Sequence, residues 1–126
     1  QLKVLLKNEP KKLKELEDIV HPLIVEDRYS FEKTTNADIA VFDIPLLFET
    51  GADKEMDKTV CVYTSTKKQI ERLKSRNNGY DDFYKKLMSK QMPSDEKCDR
   101  ADYVIETTSH TLVEKRVIEI LDILRA

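Results

Sequence analysis

Apolar residues recur along this chain in two ways, at helical spacing and in short unbroken runs. Leu13, Leu16, Ile19 and Val20 return every three or four positions, so Pro10 to Val20 reads as an amphipathic helix. Asn8-Glu9-Pro10 marks its start, since Asn caps helices well and Pro is tolerated in the first turn. His21-Pro22 interrupts the pattern, because the residue before a proline is pushed out of the α region. Pro22 can then open a second helix with Leu23 and Ile24 inward, which leaves His21 at a fixed kink. A histidine there either serves a site or hydrogen-bonds backbone freed by the kink.

After the loop Thr34-Thr35-Asn36, Ile39 to Phe42 is an apolar run without alternation, the mark of a buried, parallel strand. It reaches Asp43, is stopped by Pro45, and is followed by Leu46, Leu47, Phe48 and Glu49. Thr50 to Asp57 is polar, contains Gly51, and reads as loop or short helix. A second strand is expected at Val60 to Tyr63, with Ser65 or Thr66 capping a helix that runs to about Arg76. Asn77-Asn78-Gly79 is a turn signal. Asp81-Asp82 can cap a further helix with Phe83, Leu87 and Met88 inward, ending before Pro93. A third strand is expected at Tyr103 to Ile105. A final amphipathic helix starts at Thr111 and carries Val113, Val117, Ile120, Leu121 and Leu124 as its core stripe.

Strand, connection, strand, helix from Asp38 to Arg76 suggests a parallel α/β layer. Ligands of open α/β sheets bind beyond the carboxyl ends of the strands, which places Asp43 through Glu49 at a site. Gln69, Arg72 and Arg76, spaced i, i+3 and i+7, share a helix face. Two arginines so placed can clamp phosphate oxygens, or can be solvated and paired with carboxylates. Residues 77 to 98, polar and bracketed by turns, suit either a mobile lid or an ordinary surface helix.

Charge narrows the classes. The 126 residues carry 22 basic and 24 acidic side chains, a net charge of −2, which is no basic footprint for nucleic acid. Charged residues make up 37%, the composition of helices with solvated outer faces. No apolar run approaches the ~20 residues of a membrane span, and no secretory leader is evident. Cys61 and Cys98 lie far apart in sequence and form no CxxC, which fits a reduced, cytoplasmic protein and does not suggest a metal site. With only two glycines, Gly51 and Gly79, the sequence contains no phosphate-cradling GxxxxGK[ST] loop.

Five motifs in register then resemble one family. They are His21-Pro22-Leu23-Ile24, Ile44-Pro45-Leu46-Leu47-Phe48-Glu49, Gln69-x-x-Arg72-x-x-x-Arg76, Gln91-Met92-Pro93 with Glu96-Lys97, and Ala101-Asp102-Tyr103-Val104-Ile105. Their order and spacing resemble dephospho-CoA kinase, over the last two-thirds or so of that family's pattern. The resemblance implies an α/β fold of the P-loop kinase-like kind, a three-layer parallel sheet that here lacks its first strand and P-loop. Residues 1 to 126 would form a partial P-loop kinase domain with 77 to 98 as its lid. The implied reaction moves the ATP γ-phosphoryl to the ribose 3′-hydroxyl of dephospho-CoA, giving coenzyme A, with Mg2+ present. His21, Pro45, Leu46, Leu47 and Glu49 would border the acceptor, Arg72 and Arg76 would meet ATP phosphates, and Asp43 would contact Mg2+. Where the family tends to have Asn and Gly near the adenine, this sequence has Glu106-Thr107-Thr108-Ser109.

In the fold that the resemblance implies, the missing strand would lie between the two represented by Ile39–Phe42 and Val60–Tyr63. Without it, both are expected to lose ladder partners, the chain alone is expected to be inactive, and the unpaired edges invite self-association. The alternative is a natural truncation that binds CoA-like ligands or another chain without chemistry. A third reading, a P-loop kinase for nucleotides or another small alcohol, fits the Pro-Leu-Leu-Phe-Glu and His-Pro pairing less well.

Overall fold

A proline in the first turn opens the longest helix of the chain, α1, Pro10–Thr34. The computed structural model describes residues 4, 6, 8 to 76 and 82 to 126, without the side chains of residues 10, 83 and 84. Glu9 precedes α1 as its capping residue, and Lys12 N–H closes the first turn on the Glu9 carbonyl at 2.9 Å. The helix does not break at His21. It runs through Pro22 without interruption, contrary to the kink expected there. The reason is local: proline's fixed φ is itself helical, and the loss of one backbone donor costs only ~3 kcal/mol, which a long helix absorbs. It ends at Thr35, whose N–H reaches the Phe31 carbonyl at 2.9 Å, while Thr34 Oγ1 donates back to Ser30.

The chain divides into two compact units, residues 1 to 44 and 45 to 126. In the first, Phe31 and Phe42 meet edge to face, with centroids 5.9 Å apart and planes at 89°. Ile39 to Phe42 forms no strand, and Val41 is 84% exposed, which corrects the reading of that run. Apolar composition makes a segment willing to be a strand, but only a ladder partner makes it one. Among the described residues this run has none.

The second unit opens with a turn at Pro45-Leu46 and a single helical turn, α2, Leu47–Thr50. Gly51 closes α2 at φ 74°, the left-handed cap that glycine adopts most readily. A 3-10 turn follows at Ala52–Glu55. Strands β1, Val60–Tyr63, and β2, Tyr103–Glu106, pair in parallel, Val60 opposite Tyr103 and Tyr63 opposite Glu106. Between them lie α3, Thr66–Ser75, α4, Asp82–Met88, and α5, Ser94–Arg100. Helix α6, His110–Arg125, completes the chain. Ser65 and Ser109 cap α3 and α6, each accepting from the backbone N–H three residues on, Lys68 and Leu112.

Helix α5 packs on β1 and α6 on β2. The core they enclose is small: Cys61, Ile105 and Ile120. The stripe expected on α6 is covered only in part. Ile120 is buried, Val113 and Leu121 are half-buried, and Val117 and Leu124 remain exposed. Lengths explain this. A helix of 16 residues runs about 24 Å, whereas a strand of four spans roughly 13 Å, so the sheet cannot cover the helix end to end.

Candidate functional site at the carboxyl end of the parallel sheet

The two ends of the sheet are closed by different chemistry. At the amino end, Asp102 and Thr59 lock reciprocally. Asp102 Oδ2 accepts from the Thr59 N–H and hydroxyl, both at 2.9 Å, and Thr59 Oγ1 accepts from the Asp102 N–H at 3.1 Å. Lys58 Nζ adds an ion pair to Asp102 Oδ1 at 2.9 Å. The Lys58 ammonium first, and the Thr59 donors with it, hold the Asp102 carboxyl down at about 2. This clasp sets the register of β1 against β2, because Tyr103 N–H continues it onto the Thr59 carbonyl at 3.1 Å.

At the carboxyl end, Thr107 follows β2 and donates from its N–H and its hydroxyl to the Tyr63 carbonyl, at 2.8 and 3.1 Å. Arg72, on α3, reaches over this junction. Its Nη1 donates to Thr107 Oγ1 at 3.1 Å and its Nη2 to the Thr107 carbonyl at 2.8 Å. Those bonds use two of the guanidinium's roughly five N–H donors. An arginine fixed at this place lies where ligands of parallel α/β sheets bind. Thr64, the first residue beyond β1, buries its Oγ1 without a hydrogen-bond partner.

Helix α3 stops at Ser75, and Arg76 leaves it with an extended backbone at φ −80°, ψ 140°, exposed. The helix expected to run to about Arg76 thus ends at Ser75, with Arg76 as its C-cap. The Asn77-Asn78-Gly79 sequence beyond it favours a turn over further helix, and those residues lie outside the described ones.

Glu49 is another ionisable group of the second unit held by named partners. It lies on α2, and its Oε1 takes the Lys97 ammonium at 2.8 Å and the Met92 N–H at 2.9 Å. Both side chains are more than four-fifths buried, with 17% and 18% of their surface exposed. Burial pushes the Glu49 carboxyl up, yet the Lys97 and Met92 donors together outweigh it and leave it below its ordinary 4.5. Its second oxygen, Oε2, is buried without a partner. Leu46 and Leu47 beside it are half-buried, and Pro45 is exposed.

His21 and Asp43 belong to the first unit, and both are exposed. A shallow groove there, along Pro22, Val25, Glu26, Tyr29, Ser30 and Lys33, is lined by α1 alone. Among the described residues no three His, Cys, Asp or Glu side chains gather to hold a metal ion. Three partners escaped the sequence reading. Lys97 and Asp102 stood inside motifs without an assigned task, and nothing local marks Thr107 as an anchor. Of the segment expected to be a lid, residues 77 to 81 and the side chains of residues 83 and 84 lie outside the described residues. Met92 and Lys97 are tied to Glu49. Among the described residues no helix is long and apolar enough to cross a membrane.

A parallel α/β unit with a polar arginine-bearing site at its carboxyl end is the class this chain defines, the P-loop kinase-like class. The comparisons specify it further. The family profile of dephospho-CoA kinase matches residues 1–112, and the chain belongs to that family. It is 42% identical over 125 residues to a dephospho-CoA kinase of Ruegeria pomeroyi, covering 99% of this chain and 64% of that one. A dephospho-CoA kinase of Jannaschia sp. is 47% identical over 96 residues, 75% of this chain and 49% of its own. The crystal structure of TT1252 from Thermus thermophilus superposes with a TM-score of 0.80 at 27% identity, over 97% of this chain and 64% of that one. The chain thus spans about half to two-thirds of the length of these relatives.

Proposed function

We propose that this chain supplies the acceptor loop, a phosphate-facing arginine and the lid of a dephospho-CoA kinase. The family match over residues 1–112 carries the reading. The place of Arg72 at the carboxyl end of the sheet supports it. In the reaction, the ribose 3′-hydroxyl of dephospho-CoA gives up its proton to solvent and its oxygen bonds to the γ-phosphorus of ATP. The bridging β–γ P–O bond breaks, and ADP leaves with that oxygen. Catalysis of this kind is positioning and charge neutralisation. Arg72 can turn its remaining donors to phosphate oxygens while Thr107 holds the guanidinium in place. Arg76, exposed at the end of α3, is the second cation for the same phosphates.

Pro45, Leu46, Leu47 and Glu49 border the acceptor, with the Lys97 ion pair holding the Glu49 side chain in place. Asp43 fits Mg2+, which when bound neutralises phosphate charge. Residues 77 to 98 close over the nucleotide and exclude water. The sequence holds no GxxxxGK[ST] loop to cradle the ATP phosphates, and in this reading residues 1 to 126 alone do not turn over substrate. The test is ADP release by the protein at its natural length, with ATP and either dephospho-CoA or a nucleoside monophosphate. Turnover with dephospho-CoA alone supports the reading; turnover with neither, or only with the monophosphate, overturns it.

A further inference from the structure

The sequence separates Cys61 and Cys98 by a helix, a turn signal and a second helix, and the fold brings them together. Cys61 lies in the middle of β1 and is 8% exposed; Cys98, on α5, is half-buried. Their Sγ atoms are 3.3 Å apart, closer than ordinary sulfur contact, and both are free thiols. Among the described residues no third metal-ligating side chain joins them, so the pair is not the core of a metal centre. A covalent S–S bond is ~2.05 Å, so closure asks the sulfurs to approach by little more than 1 Å. The backbones that carry them already pack, α5 on β1.

We infer that Cys61 and Cys98 form a reversible dithiol–disulfide couple that low-molecular-weight disulfides oxidise. The two sulfurs have different parts. Cys98, the more accessible, is the attacking thiol. Its thiolate attacks one sulfur of the small disulfide, that S–S bond breaks, and one small thiolate leaves and takes up a proton. A mixed disulfide on Cys98 results. Cys61 then gives its proton to solvent and attacks Cys98 Sγ, expelling the second small thiolate. Two protein thiols are oxidised and one small disulfide is reduced to two thiols. Burial first, and the Cys98 thiol beside it, push the Cys61 thiol up to about 12, which shields Cys61 from outside reagents; its attack on Cys98 rests on the 3.3 Å separation of the two sulfurs. Oxidation staples α5 to β1 across the chain between them, which includes α3, α4 and residues 77 to 81. The inference rests on this geometry alone and not on the kinase reading.

The experiment is exposure of the native, natural-length protein to oxidised glutathione, acid quench, alkylation of remaining thiols and tryptic mapping without reductant. The expected product is Thr59–Lys67 linked to Cys98–Arg100, lighter by about 2 Da than the two peptides together, in monomeric protein and lost on treatment with dithiothreitol. Cys61→Ser should stop at a glutathione adduct on Cys98, and Cys98→Ser should leave Cys61 unmodified. Three outcomes would overturn the inference: both thiols still alkylated under conditions that oxidise a control dithiol, a stable glutathione adduct accumulating in the wild type, or linkage only between two molecules.

Discussion

Glu49 and Lys97 meet at 2.8 Å, and the same carboxylate oxygen accepts the Met92 amide at 2.9 Å. A residue of the loop expected to border the acceptor is thereby tied to both ends of the Met92–Lys97 stretch, where the segment expected to be a lid returns to the sheet. Removing the cation alone, in Lys97→Met, leaves a buried carboxylate with one donor. That should destabilise the second unit by roughly 1–3 kcal/mol, read from urea unfolding. Lys97→Met with Glu49→Gln should recover part of the loss. A loss in the double variant equal to the sum of the losses in Lys97→Met and Glu49→Gln alone would show that the pair is not coupled.

Arg72 offers a separation of charge from geometry. Arg72→Lys keeps the cation but not the paired bonds to Thr107 Oγ1 and carbonyl. In the natural-length protein, turnover should fall on the order of 10²-fold, with a stability loss of about 1 kcal/mol. A variant with full turnover would remove Arg72 from the phosphate site and leave it as the strap on Thr107.

The clasp at the other end of the sheet makes a pH prediction. Asp102 sits at about 2 in the fold against an ordinary 3.8. A lowered carboxylate contributes stability that is fully present above the unfolded value and is lost as pH falls through the folded one. Stability should therefore hold down to about pH 4 and decline between there and about pH 2. Asp102→Asn should be less stable at neutral pH and flatter across that window. Denaturant midpoints at several pH values would check both. An unchanged slope would remove Asp102 from the acid transition, and Glu49, lowered as well, would be the next carboxylate to test.

Gly51 isolates a backbone effect. A methyl group there meets nothing within 4 Å, so a substitution is strained only by φ +74°. Gly51→Ala should cost about 1 kcal/mol and Gly51→Asn less, since Asn tolerates the left-handed region. Equal stability of the alanine variant and the wild type would mean that the cap relaxes.

Much of the local structure is legible in the sequence because it depends on near neighbours. Ser65 begins a helix, Val60–Tyr63 is a strand, and the strand expected at Tyr103 to Ile105 forms as Tyr103–Glu106, each from residue types acting on backbone a few positions away; the last helix, expected from Thr111, is capped earlier, at Ser109. Family membership is legible in the same way, from motifs in order. What tertiary structure alone decided concerns residues distant in the chain. Whether Ile39–Phe42 is a strand depended on a partner, not on its apolar run. Pro22 broke the pattern but not α1, because one lost hydrogen bond is small beside a long helix. The register of β1 on β2 placed Thr107 under Arg72, and the packing of α5 on β1 put Cys98 against Cys61. No spacing encodes such meetings, because they follow from how two elements dock, and docking is set by the whole buried face at once.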